Sequence, residues 1–191
     1  QGGDDLLLPG KLAAQVSWFE SDSRRVLCGH DVEHFSSDVG GRTVLQSELT
    51  RLRSGVGPRD FIVFGSVFAG TSVMVKASAV PGGGFDERLP IISDGKFWID
   101  CLMSGGSYGY VPGVLARYRR DFATSVTRSD KPAVLAEEFR ALDLVEQEHP
   151  EVADDCRRGR ARLYRREGIA AVMGGRVQRG RAGHRARARG A

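Results

Sequence analysis

Three consecutive glycines, Gly82, Gly83 and Gly84, lie between a β-branched stretch, Thr71-Ser72-Val73-Met74-Val75, and a helical pattern that begins near Ser93. A glycine run weakens any helix or strand it enters, so the chain must pass from extended to helical structure through a loop at this point. Such a backbone reaches φ > 0 without a Cβ penalty and lets a ligand approach closely, which is where loops carry sites. The acids Asp86 and Glu87 follow at once. Beyond them Phe97, Trp98, Cys101 and Leu102 recur at helical spacing, and Ser93 and Asp94 fall at the helix N-terminus. There the helix dipole favours an anion, which predicts a positioned, ionised Asp94; the plainer role for the same residue is an N-cap.

The remaining pattern alternates. Asp4 and Asp5 precede Leu6-Leu7-Leu8, and Pro9 falls at the expected first position of a helix whose apolar face is Leu12, Val16 and Phe19, ending near Ser21-Asp22-Ser23. With so few residues before the acids, no strand is expected ahead of them. Residues 25–29 read as a strand, 43–54 as a short helix carrying Leu45, Leu49 and Leu52, and 71–75 as a core strand. Tyr108–Val111 and Val114–Tyr118 read as an extended pair broken at Pro112-Gly113. Two helices are expected after Ser129, over 132–148 and about 152–173, separated by His149-Pro150. The fold class is therefore α/β with a helical C-terminal part. His30-Asp31-Val32-Glu33-His34 fits a zinc-protease pattern, but that pattern needs a helix to bring both imidazoles onto one face. Here it follows a strand and a glycine, and a polar loop is the expectation.

Composition narrows the partners. No apolar run is long enough to span a bilayer and no secretory signal is visible, which predicts a cytoplasmic protein. Cys28, Cys101 and Cys156 are widely spaced and odd in number, which predicts buried thiols rather than disulfides or a zinc site. The net charge of +4 is unevenly placed: residues 157–191 hold twelve arginines against the single acid Glu167, so residues 1–156 are net acidic. The basic end predicts contact with a phospholipid surface, a nucleic acid or the acidic body itself. With Tyr164 as its only aromatic, nucleic acid is the least favoured.

Taken together, Asp4-Asp5-Leu6-Leu7-Leu8-Pro9-Gly10-Lys11-Leu12, Gly70 to Val75, Gly83-Gly84-Phe85-Asp86-Glu87, Ser93-Asp94 through Ile99, and Tyr118-Arg119-Arg120 resemble the successive blocks of family 2 glycosyltransferases with the GT-A fold. The order and spacing of the blocks carry the resemblance, over roughly residues 1–128. It implies a partial GT-A domain (a Rossmann-like nucleotide-diphospho-sugar transferase fold) over 1–128 that lacks its N-terminal nucleotide-binding half. Outside the resemblance, the helical period predicts a helical extension over 129–175, and the lack of apolar residues to bury predicts a basic, disordered tail over 176–191. The implied activity is inverting transfer of a sugar from a nucleotide-diphosphate sugar to the hydroxyl of a saccharide or other acceptor, in a fragment of reduced or absent activity.

Residue by residue, the resemblance implies Asp94 as catalytic base and Asp4 and Asp5 as ligands of a divalent Mg²⁺ or Mn²⁺. Asp86, Glu87, Arg119 and Arg120 would contact donor or acceptor. Three positions depart from the family pattern: Gly2 stands where the first metal-binding acid is found, Gly95 where an aromatic wall of the acceptor pocket is found, and Asp121 where a histidine is common. Without the resemblance, Asp4 and Asp5 read as caps of the following helix, and Asp86 and Glu87 as solvated turn acids. The competing functional reading is a non-catalytic binding module whose arginine-rich end attaches to an anionic membrane, at its inner face, or to nucleic acid.

Overall fold

The computed structural model describes residues 4–35, 42–44, 55–65, 68–119 and 131–169. Gly2, Arg120, Asp121, most of the helix expected over 43–54 and the chain from 170 onward lie outside the described residues.

The architecture is α/β, built on a mixed six-stranded sheet. Its centre is the parallel pair β2 (Arg25–Phe35) and β6 (Ser107–Arg119). Around that pair, β1 (Leu6–Leu7) and β4 (Gly55–Val56) run antiparallel to β6, while β3 (Arg42–Val44) and β5 (Met74–Val75) run antiparallel to β2. Among the described residues five α-helices accompany the sheet: α1 (Lys11–Glu20), α2 (Arg59–Phe64), α3 (Ser93–Met103), α4 (Lys131–Glu148) and α5 over 153–169. A parallel pair needs a long crossover, and the chain from β3 through α3 supplies it.

Several expectations change in the structure. Between the acids and α1 lies a two-residue strand that the pattern did not mark: Leu6 and Leu7 pair with Arg117 and Ala116, which seats Asp4 and Asp5 beside the end of β6. Pro9 and Gly10 form the turn into α1 rather than its first residues. The face of α1 is also the reverse of the apolar one. Lys11 and Gln15 are buried, whereas Leu12 and Val16 are exposed at 58% and 46%. Hydrogen bonding decides this: the Gln15 amide donates to the Ser72 carbonyl at 2.9 Å and to Cys28 Sγ at 3.4 Å, and Lys11 Nζ donates to Gln15. Buried polar atoms so satisfied no longer oppose burial.

The strand expected over 25–29 continues to Phe35 and takes in the whole His30–His34 pattern, so the helix that zinc ligation would require is absent. His30 is fully buried, with Nδ1 2.7 Å from the Asp31 carbonyl, and burial lowers its pKa to about 4. Residues 42–44, placed at the start of a helix by the pattern, are a strand. Gly70–Ser72 form a 3₁₀ turn, leaving only Met74–Val75 of the expected core strand. Pro112-Gly113 does not break β6. The pairing steps from His30↔Val111 to Asp31↔Val114, so a bulge absorbs the two residues and the missing proline N–H.

One core cluster joins sheet and helices, including Leu27, Phe61, Trp98, Leu102, Val145 and Leu163. The helices at 131–169 thus share the core that the sheet is built on. Gly29 on β2 belongs to that packing: a Cβ there would lie 2.0 Å from the Phe68 ring. The three cysteines are free and buried, and burial raises each thiol to about 11. No described helix is long and apolar enough to cross a membrane.

Candidate active site

A cavity of about 460 Å³ opens beside the end of β6, where the short β1 and the start of α3 meet. Asp4, Asp5 and Asp94 all line it, together with Thr71, Tyr118 and the aromatic wall Phe85, Phe97 and Trp98. Acids about ninety positions apart in the chain therefore share one hollow. β1 puts the first two there, because Leu6 pairs with Arg117 and leaves Asp5 beside the end of β6, where the Arg119 backbone N–H donates to Asp5 Oδ1 at 3.0 Å. Helix α3 delivers the third. Asp94 lies in its first turn and accepts the Gly95 N–H at 2.8 Å.

The electrostatics of the cavity are one-sided. No lysine or arginine is among its described lining residues. Burial pushes the Asp94 carboxyl above the usual carboxylate range, and the N–H groups of Gly95 and of Asp94 itself only partly oppose that. Desolvation thus outweighs the N–H groups at the helix terminus. Asp5 is also raised, by burial first and then by the neighbouring Asp4, against the Arg119 N–H and the Thr71 hydroxyl. A carboxyl with a raised pKa, in a cleft and within reach of an aromatic platform, has the properties of a proton acceptor in catalysis.

Asp4 and Asp5 present adjacent hard oxygen donors, and a divalent cation would relieve the repulsion between them. Mg²⁺ and Mn²⁺ commonly take one or two protein carboxylates and complete their shell with phosphate and water, so this donor set fits such an ion. The three cavity acids do not form a closed metal cage. Among the described residues, the one group of three donors within 4.8 Å of each other is Asp100, Glu148 and His149. That group already holds a cation: buried Lys96 donates from Nζ to Asp100 at 2.8 Å and to Glu148 at 2.7 Å.

The other expected contact residues are placed differently. Asp86 and Glu87, with Gly83 and Gly84, line a neighbouring hollow that shares only Phe85 with the cavity. Asp86 is held by Arg88, through its N–H at 3.0 Å and its guanidinium at 2.8 and 2.6 Å, and it lies 3.7 Å from Lys96 Nζ. The Arg88 guanidinium keeps its carboxyl well below the usual range. Asp86 therefore organises the loop and is turned from the acids of the cavity, because the side chain closes an Asx turn on Arg88. Gly84 alone of the three glycines takes a positive φ, and all three have open space around them.

Arg119 stands at the rim. Its Nε donates to the Asp4 carbonyl at 3.3 Å, and its guanidinium lies 4.7 Å over the Phe35 ring. Gly95 faces a different cavity from Asp94, since one residue turns a helix by about 100°. A side chain at position 95 would thus not stand on the side of the acids. Phe85 and Tyr118 line the cavity too, and beyond their place in the quoted blocks nothing in the residue pattern marked them for it.

Of the basic end, the described portion turns to the body. Arg160 pairs with Asp143 at 2.9 Å and with Glu146, and Arg166 pairs with Glu138 at 3.0 Å. Arg158 reaches Asp155 at 3.3 Å. No protein-family model matches the chain, and no curated protein matches it.

Proposed function

We propose that the chain has the GT-A architecture and performs inverting transfer of a sugar from a nucleotide-diphosphate sugar to an acceptor hydroxyl, with Asp94 as base. The single observation that supports it is the meeting of Asp4, Asp5 and Asp94 in one aromatic-walled cavity. Asp94 takes the proton of the acceptor O–H. As that oxygen bonds to the anomeric carbon, the bond from that carbon to the phosphate oxygen breaks, and the nucleoside diphosphate leaves with the electron pair. Bound at Asp4 and Asp5, a divalent ion would supply charge neutralisation for that leaving group. Arg119, at the rim, is placed to steer the diphosphate toward those acids. Phe85, 56% exposed and stacked on Phe97 at 4.3 Å, offers a flat apolar face to a sugar ring.

The test is release of nucleoside diphosphate from UDP-glucose and GDP-mannose with Mn²⁺, measured for the chain and for Asp94→Asn. The proposal expects turnover in the chain and a loss of about 100-fold or more in the variant, with Mn²⁺ dependence. Equal turnover in both would remove Asp94 from the chemistry. The alternative, attachment to an anionic surface through the arginine-rich end, is weakened for residues 157–166 by the internal ion pairs there.

A further inference from the structure

A second cavity, of about 250 Å³, lies between α2, the N-terminal turn of α3, α4 and α5. The turn of α3 separates it from the carboxylate cleft: Asp94 lines one, Gly95 and Lys96 the other. Its walls are mainly apolar, with Phe61, Ile99 and Leu142 among them.

Its charged groups can be paired off until one remains. Lys96 is held by Asp100 and Glu148, and Arg166 is bound to Glu138, the only acid among the described lining residues. Arg162 makes no hydrogen bond or ion pair among the described residues, and its Nε is buried without a partner. Burial pulls its guanidinium below the ordinary arginine range, more strongly than Glu138 holds it up. Gly65 gives it room: a Cβ at that residue, where φ is +83°, would stand 3.1 Å from both terminal nitrogens of Arg162. A half-buried guanidinium whose Nε donor is buried and unmet destabilises the fold unless something accepts from it.

We propose that this cavity is a binding site for a small monocarboxylate with an apolar body, its carboxylate on the Arg162 fork and its hydrocarbon against Phe61, Ile99 and Leu142. One uncompensated positive charge calls for one negative charge. The planar guanidinium matches a carboxylate through two parallel N–H···O bonds. The volume holds about eight water-sized groups, which is the size of a six-carbon acid. The site is independent of the transferase proposal, because no residue of the cleft takes part in it.

The test is calorimetric titration of the full chain with hexanoate, hexanol and hexyl phosphate. Hexanoate should bind, and hexanol should bind at least about tenfold more weakly. Arg162→Met should weaken hexanoate by about tenfold or more while leaving the melting temperature of the ligand-free chain equal or higher, since an unpaired cation is removed. Ala141→Leu, which fills the cavity from α4 and keeps Arg162, should also abolish binding. No binding of hexanoate up to about 10 mM, or unchanged binding in either variant, overturns the proposal. Tighter binding of hexyl phosphate than of hexanoate overturns the monocarboxylate assignment.

Discussion

Replacing Lys96 by methionine should destabilise the protein strongly at neutral pH and much less in mild acid. Lys96 has a side chain only 4% exposed, and its Nζ ties α3 to the end of α4 through Asp100 and Glu148, with Asp86 3.7 Å away. Burial alone would lower its pKa, but the hydrogen bonds to Asp100 and Glu148 outweigh that and raise it. Removing one partner from a buried ion pair costs about 3–5 kcal/mol, and the lower end applies because the Glu148 side chain is 37% exposed and partly screened by water. About 3 kcal/mol corresponds to a fall in melting temperature of roughly 6–12 °C for a domain of this size.

The pH dependence follows from Asp100. Arg88 still holds Asp86 and Glu148 in the variant, but Asp100 loses the ammonium that opposes its burial, so its folded pKa, already raised, rises further above the unfolded one and the folded variant binds more protons than the unfolded chain. The destabilisation is then greatest above that folded pKa and shrinks as pH falls through it. Urea denaturation of the chain and of Lys96→Met at neutral pH and near pH 4.5 measures this. A loss under about 1 kcal/mol at neutral pH, or a loss that does not shrink in acid, would refute the cage as the link between the two helices.

Asp94→Asn should abolish turnover yet raise stability near neutral pH: burial lifts the folded pKa of Asp94, so the ionised carboxylate is a cost above that pKa that the amide lacks. In the unsubstituted chain kcat/KM should fall on the acid side at a pH above the usual carboxylate value of 3.8. Gly29→Ala should destabilise by about 1–3 kcal/mol or more in thermal melts, because its Cβ meets the Phe68 ring at 2.0 Å. Glu137→Ala should lose about 1–2 kcal/mol in the same assay, since its Oε2 accepts the Ile91 and Ile92 N–H groups, at 2.9 and 3.1 Å, ahead of α3. Equal stability of either variant and the parent chain would contradict those contacts.

Much of the helical framework was legible in the residues. Helix α3 carried its buried positions Phe97, Trp98, Cys101 and Leu102 at helical spacing, and α4 runs from Lys131 to the residue before His149. The reversed face of α1 was not legible, because what buries Lys11 and Gln15 is a carbonyl at Ser72 and a thiol at Cys28, far along the chain. Strand β2 was hidden past Gly29 for a related reason: His30 and Asp31 are polar yet buried, which erases the alternation that marks a strand. A two-residue strand such as β1 leaves no period at all, although it is what seats Asp5 beside Arg119. The acids of the cleft could be picked out by residue type and order. That Asp86 belongs instead with Arg88 and Lys96 depends on a salt-bridge network that includes Glu148, more than fifty positions away.

The cleft itself is tested most directly by where Mn²⁺ settles, read as paramagnetic broadening of assigned backbone amide signals in the full chain. Broadening centred on Asp4, Asp5 and Thr71, extending to Asp94 and reduced in Asp5→Asn, is the predicted result. Broadening centred on Asp100, Glu148 and His149, with the signals near Asp5 and Asp94 untouched, would contradict it.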